Sequence, residues 1–172
     1  MAIRPVITAP DRRLKAVSAS VGTVDAAVRR LMDDMLETMY LAPGIGLAAI
    51  QLGVARRVIV VDVAGKDEAP SPLRLADPVV TWRSSERATY EEGCLSLPEH
   101  YADVERPARV RVRFTDHDDR PAEIEAEGLL ATCLQHEIDH LDGTLFVDHI
   151  SALRRGMILR KLAKTKKLKA SA

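Results

Sequence analysis

Gln135-His136-Glu137-Ile138-Asp139-His140-Leu141 carries the spacing HExxH. On a helix this sets two imidazoles one turn apart with a carboxylate beside them, the arrangement of a hydrolytic metal site. At ~1.5 Å of rise per residue the two His Cα atoms stand about 6 Å apart along the axis, so both rings can converge on one ion. Glu137 then reaches the reacting water. The extended form HExxHxxGxxH is followed only as far as Gly143, because Phe146 stands where a third His would be, and no Glu follows Glu137 before Ala172. A third ligand has to come from elsewhere in the chain.

Two cysteines can supply it. Cys133 shares the helix face of both imidazoles. Three ligands in one row cannot occupy three corners of a tetrahedron, however, and an ion midway between the His pair would lie about 7 Å along the axis from Cys133. Cys133 therefore reads as a pocket wall. Cys94, in Glu92-Gly93-Cys94-Leu95-Ser96-Leu97-Pro98, is the better ligand, since Gly93 lets backbone approach closely and Pro98 stiffens the exit. His149 is held in reserve as a ligand, and His100 and His117 read as non-catalytic. The alternative to a metal site is a buried apolar Cys and a chance HExxH.

Working outward, Arg109–Phe114 and Ala122–Glu127 alternate strictly about a turn at Asp116–Pro121 and predict a hairpin with one wet face, whose Arg and Glu rows pair across the strands. Gly128 ends the sheet. The metal helix is expected over about Leu129–Leu141, closed near Gly143. From Thr23 as N-cap, Val24, Val28, Leu31, Met35 and Met39 follow helical spacing until Pro43. The continuous run Val58–Val63 reads as a buried strand and Leu73–Val80 as another, with a loop at Gly65–Pro72. Ser151 caps a last helix with Leu153, Met157, Ile158 and Leu162 on its inner face. These elements predict an α+β fold, with antiparallel or mixed sheets around the HExxH helix and a helix near each end. At 172 residues, 47% of them hydrophobic, one domain over the whole chain is expected.

Gly44-Ile45-Gly46-Leu47-Ala48-Ala49-Ile50-Gln51, Glu92–Ser96 and Gln135–Leu141, in that order and at those spacings, resemble the three signature motifs of the peptide deformylase family. The similarity runs from about Pro10 to about Ile150. One departure lies away from the motifs, at Leu14-Lys15-Ala16-Val17-Ser18-Ala19-Ser20-Val21, where relatives often read Leu-Arg-x-x-Ala-x-Pro-Val. The resemblance implies a hydrolase that removes the N-formyl group from nascent polypeptides beginning with formylmethionine. It assigns Cys94, His136 and His140 to one divalent metal ion, and Glu137 to proton transfer. The Gln51 side chain and the Leu95 N–H would meet the formyl oxygen. Ile45, Tyr90, Leu129 and Cys133 would wall a methionine pocket, while the backbones of Ile45, Gly46 and Gly93 hold the peptide extended. Glu92 and Arg106 would brace the Cys94 loop. Tyr101 stands where some relatives place an Arg at the cleft mouth. A Cys-His-His set suits Zn²⁺, yet the family resemblance points to Fe²⁺, with Ni²⁺ or Co²⁺ as substitutes.

Charge adds one more expectation. Lys and Arg balance Asp and Glu at 25 each, but Arg154–Lys169 carries eight basic residues and no acid. By resemblance this tail contacts the ribosome; a solvated helix is the alternative. No specific DNA binding is expected. No apolar run reaches the ~20 residues of a membrane span, and two cysteines so far apart make no disulfide framework, so a cytoplasmic location is expected. Rival readings are an endopeptidase, a cysteine hydrolase using Cys94, and an RNA-binding module built on the tail. Casein cleavage, metal analysis and tail deletion would separate them.

Overall fold

A run of β-branched residues needs apolar neighbours on both faces to be stable as a strand, and Val58–Val61 (β2) has them in the computed structural model, which describes residues 2–172. Val58 and Val60 face the first helix, whereas Ile59 and Val61 face the HExxH helix. All four are fully buried, each worth about 1.5–3 kcal/mol. The strand ends at Val61, short of the expected Val63. Asp62 turns aside and its carboxylate accepts from the Tyr40 hydroxyl at 2.5 Å and from the Ala64 and Ser71 N–H groups at 3.0 and 3.1 Å, which closes the following loop.

The first helix, α1, spans Ala26–Leu41 and buries Val28, Leu31, Met32, Met35, Leu36 and Met39. Its N-cap is Asp25, not Thr23. The Asp25 carboxylate accepts from the Val28 N–H at 2.9 Å, and Val24, ahead of this cap, donates its N–H to Asp119 at 2.8 Å. Residues Gly46–Ala48 form β1, and a 3-10 turn at Ala49–Leu52 follows. Neither was expected from the sequence.

Strand β3 (Leu73–Arg83) runs three residues past the expected Val80. It is kinked at Asp77, whose φ is 48°, and at Pro78, which cannot donate to a ladder. The strands β6 (Arg109–Thr115) and β7 (Pro121–Glu127) are the expected hairpin, with Arg111 opposite Glu125 and 3.1 Å from it. These strands join one sheet in the order β1-β2-β3-β6-β7. Every pair in it is antiparallel, so the mixed alternative is set aside.

A second, two-stranded sheet pairs β4 (Arg87–Cys94) with β5 (Leu97–Pro107). The sequence had suggested only a loop around Cys94. Glu92 and Arg106 face inward here beside Ala102 and Val104, and charged residues on an inner face erase the alternation that marks a strand.

The HExxH helix, α2, spans Gly128–Leu141 and lies against the large sheet through Ala131, Leu134, Ile138 and Leu141. After a 3-10 turn at Phe146–His149, α3 spans Ala152–Ala170 and is capped by Ser151, as expected. Its inner face is narrower than expected. Ile158 and Leu162 are buried, but Leu153 and Met157 are 71% and 46% exposed. They lie roughly 140° around the helix from that stripe, and α3 meets the body only along the stripe, beside Ala9, Leu97 and Phe146.

Candidate metal centre

Two residues on one helix and one from a distant strand have to meet if a tetrahedral site is to form. His136 and His140 project from the same face of α2, with ring centroids 5.0 Å apart. Cys94 ends β4 just past a shift in the β4/β5 register between Gly93 and Cys94, a bulge that re-aims its side chain. A Cβ at Gly93 would stand 2.5 Å from Cε1 of Tyr101 across the strand pair, so the Tyr101 ring lies where it does only over a glycine. Cys94 Sγ lies 3.4 Å from His140 Nε2, and one donor atom from each of Cys94, His136 and His140 falls within 4.8 Å of the others.

The other candidate ligands stand aside. Cys133 Sγ points to the Ile45 carbonyl at 3.6 Å, which leaves it on the pocket wall. His149 is bound to Asp139 at 2.8 Å and does not join the group.

Glu92 organises the charge. Its buried carboxylate accepts from Arg106 Nε and Nη2 at 2.7 and 2.9 Å and from His136 Nδ1 at 2.9 Å. Burial alone would raise its pKa, but His136 and Arg106 together hold it below the usual value. An ionised carboxylate can only accept, so Nδ1 of His136 donates to Glu92, and Nε2 is the ring nitrogen left for a metal. Burial, then the neighbouring His136, pushes the His140 pKa well down, favouring the neutral ring that binds metals. Burial lifts Glu137 to about 7, with Glu92 and Asp139 adding to the rise against His136 and Arg106.

Beside these donors Glu137 Oε2 is buried with no partner among the described residues. Buried polar groups without partners are costly. One thiol, two imidazoles and a carboxylate poised near neutrality fit a divalent cation with a reacting water.

Gln51 belongs to the 3-10 turn Ala49–Leu52. Its Oε1 accepts from the Ala48 N–H at 2.9 Å, so its amide N–H groups turn toward Ser96 Oγ at 3.1 Å and Cys94 Sγ at 3.5 Å. An N-terminal strap ties both motifs together, since the Ile7 N–H donates to Gln51 O and the Ala9 N–H to Ser96 O, each at 2.8 Å. A cleft of about 660 Å³ opens over these groups, lined by Ile45, Gly46, Gln51, Gly93, Cys94, Leu95, Leu129, Cys133, His136 and Glu137. Of the expected pocket residues, Tyr90 is not on this lining; its hydroxyl lies beside Gly128 at the start of α2. The lining also includes Val6, Pro43, His100 and Thr132, which sequence reasoning did not select. Asp139 was missed as well, although it stands inside HExxH and accepts from Arg106 Nη1 at 2.8 Å.

Residues 3–156 match the family model described as polypeptide deformylase. The chain belongs to that family. Among the relatives it resembles, peptide deformylase of Methylocella silvestris is 60% identical, over 99% of this chain and 88% of the relative. That of Rhizobium meliloti is 55% identical, over 99% and 98%. The crystal structure of peptide deformylase from Ehrlichia chaffeensis superposes with a TM-score of 0.93 at 36% identity, covering 98% of this chain and 99% of that one. A second structure from that organism, in complex with actinonin, gives 0.91 at 39% identity, covering 96% and 98%. The α+β architecture of this deformylase-family chain is thus that of its solved relatives. Among its described residues no helix is long and apolar enough to cross a membrane.

Side-chain crowding explains the second glycine of the first motif. A Cβ on Gly46 would collide with Glu137 Oε1 and stand 2.8 Å from Cys133 Sγ. Gly46→Ala in this deformylase should therefore displace Glu137 and lower kcat by about 10²-fold, the scale on which ~1 Å misplacement is felt. Steady-state kinetics beside a thermal melt would check it; unchanged kcat would mean that Glu137 has room to spare.

Proposed function

We propose that Cys94, His136 and His140 hold one divalent ion and that Glu137, Gln51 and the Leu95 N–H act with it in deformylation. The family removes the N-formyl group from nascent polypeptides, and this chain is a hydrolase of that family. The convergence of the three donor atoms beside a buried, unpartnered Glu137 carries the assignment. When bound, the ion supplies Lewis-acid polarisation and makes water easier to deprotonate near neutral pH.

The protein's own groups do the rest. Glu137 accepts the proton of the water attacking the formyl carbon and passes it to the amine nitrogen as the C–N bond breaks, releasing formate. Burial makes this carboxylate more basic than an exposed one, which favours taking up the proton. Negative charge gathers on the formyl oxygen, where the pre-aimed Gln51 amide and the Leu95 N–H donate hydrogen bonds. Such a donor is worth about 2.7–4 kcal/mol in the transition state. The methionine side chain lies against Ile45, Leu129 and Cys133, with Tyr90 behind the start of α2. The backbones of Ile45, Gly46 and Gly93 bond to the extended peptide as an added strand, so later side chains contribute little. Metal content per chain, measured with formate release from formyl-Met-Ala-Ser, tests the proposal. Metal-free protein of full activity would refute it.

Fe²⁺ is the proposed working metal and Zn²⁺ the alternative, with Ni²⁺ or Co²⁺ as functional substitutes. The ligand assignment has its own check. Cys94→Ala is expected to lose the metal or hold it weakly, whereas Cys133→Ala should bind it normally and alter only side-chain selectivity. Dialysis followed by elemental analysis reads both, and reversed phenotypes would reverse the assignment.

A cytoplasmic location and one catalytic domain over residues 1–172 complete the reading. The basic helix α3 is proposed to touch the ribosome. Beyond Leu162 its side chains are all exposed and include Lys164, Lys166, Lys167 and Lys169. Truncation after Leu162 keeps the buried stripe and removes these cations. Co-sedimentation with ribosomes should fall on truncation and on adding salt, because phosphate contacts release counterions. Binding indifferent to both would exclude the contact.

A further inference from the structure

A ligand imidazole is only as well placed as the group that holds its other nitrogen, and that group needs holding in turn. His136 Nδ1 donates to Glu92 Oε1 at 2.9 Å. Arg106 grips both oxygens of Glu92, and its third nitrogen, Nη1, donates to Asp139 Oδ2 at 2.8 Å. The planar guanidinium is thus clamped between two carboxylates. His149 holds the second of them, with Nε2 at 2.8 Å from the same Asp139 Oδ2. Because a carboxylate only accepts, that nitrogen carries the hydrogen.

His149 closes the 3-10 turn Phe146–His149, and the other end of the turn also reaches His136. The buried Phe146 ring stacks on the His136 ring, with centroids 6.2 Å apart and planes 21° from parallel. Between them Asp148 anchors the turn through the Leu145 N–H at 2.8 Å, Lys15 at 2.7 Å and Arg155 at 2.7 Å. One braced turn therefore bears on His136 from two sides, by packing and through a chain of charged hydrogen bonds.

We infer that His149 and Asp139 are positioning residues for His136, setting its ring through Arg106 and Glu92. The inference rests on the reading of Cys94, His136 and His140 as the metal set. Co²⁺ is the probe, its affinity measured by competition with a chelator and its site geometry by visible absorption. His149→Leu removes the N–H, whereas His149→Gln keeps one at a similar reach. His149→Leu should weaken Co²⁺ binding by about tenfold, at the low end for outer partners of metal ligands. It should also shift the visible bands and lower kcat with KM little changed, and His149→Gln should restore all three. Asp139→Asn, of the same shape, should weaken Co²⁺ binding and shift the bands as well, and it reports from the other side of the contact if His149→Leu does not fold.

Parent-like affinity and spectra in both His149→Leu and Asp139→Asn would overturn the inference. So would equal loss in His149→Leu and His149→Gln, which would make bulk rather than the N–H the cause. An unsubstituted protein that neither binds Co²⁺ nor deformylates would instead defeat the reading on which the inference depends.

Discussion

Glu137→Gln should retain the metal and the fold while kcat falls by about 10²–10⁴-fold, the usual worth of a positioned acid–base group. The substitution keeps the shape of the side chain and removes its basicity. Glu137 is not one of the three converging donors, so elemental analysis should find the parent's metal content. The geometry makes the prediction demanding, because Glu137 is buried, packed against Gly46, and has an oxygen with no partner among the described residues. No other carboxylate on the cleft is placed to replace it: Glu92 is committed to Arg106 and His136, and Glu91 and Glu99 are exposed. A variant keeping most of its turnover would remove Glu137 from the mechanism.

The second large effect is on stability. Arg106→Leu should destabilise the fold by about 3–5 kcal/mol at neutral pH, because it leaves Glu92 buried without its cation. Both side chains of that pair are about 95% buried, at 5% and 4% exposure. The pH dependence follows from the sign of the Glu92 shift. Its pKa is lowered in the folded protein, so the pair's contribution is complete above the unfolded carboxyl value, about 4.3. It is lost as pH falls through the folded value. The gap between parent and variant should therefore be widest near pH 7 and narrow below about pH 4.3. Urea unfolding at pH 7 and pH 3 measures it, and a constant gap would mean that Glu92 does not change its charge state between them.

Much of this molecule could be read from local pattern. The Arg109–Phe114 and Ala122–Glu127 alternation became β6 and β7, and Ser151 does cap α3. Such features depend on residues within a turn or two of one another. The misreadings share a different origin. Asp25, not Thr23, takes the Val28 N–H, and the segment ahead of it is pinned by Asp119, 95 residues from Val24. Leu153 and Met157 stay in water because α3 meets the body along a narrow stripe.

The sequence alone determined the HExxH pair, since two His and a Glu on one helix face follow from helical pitch. It also favoured Cys94 over Cys133, since a row of ligands cannot surround an ion. Only the tertiary structure decided how Cys94 reaches His140 across 46 residues, by a register shift in a hairpin that the charges of Glu92 and Arg106 concealed. It alone joined Arg106 to Asp139 and His149. A buried ion pair looks, residue by residue, like two surface charges, because what pays for its burial is a partner from another part of the chain.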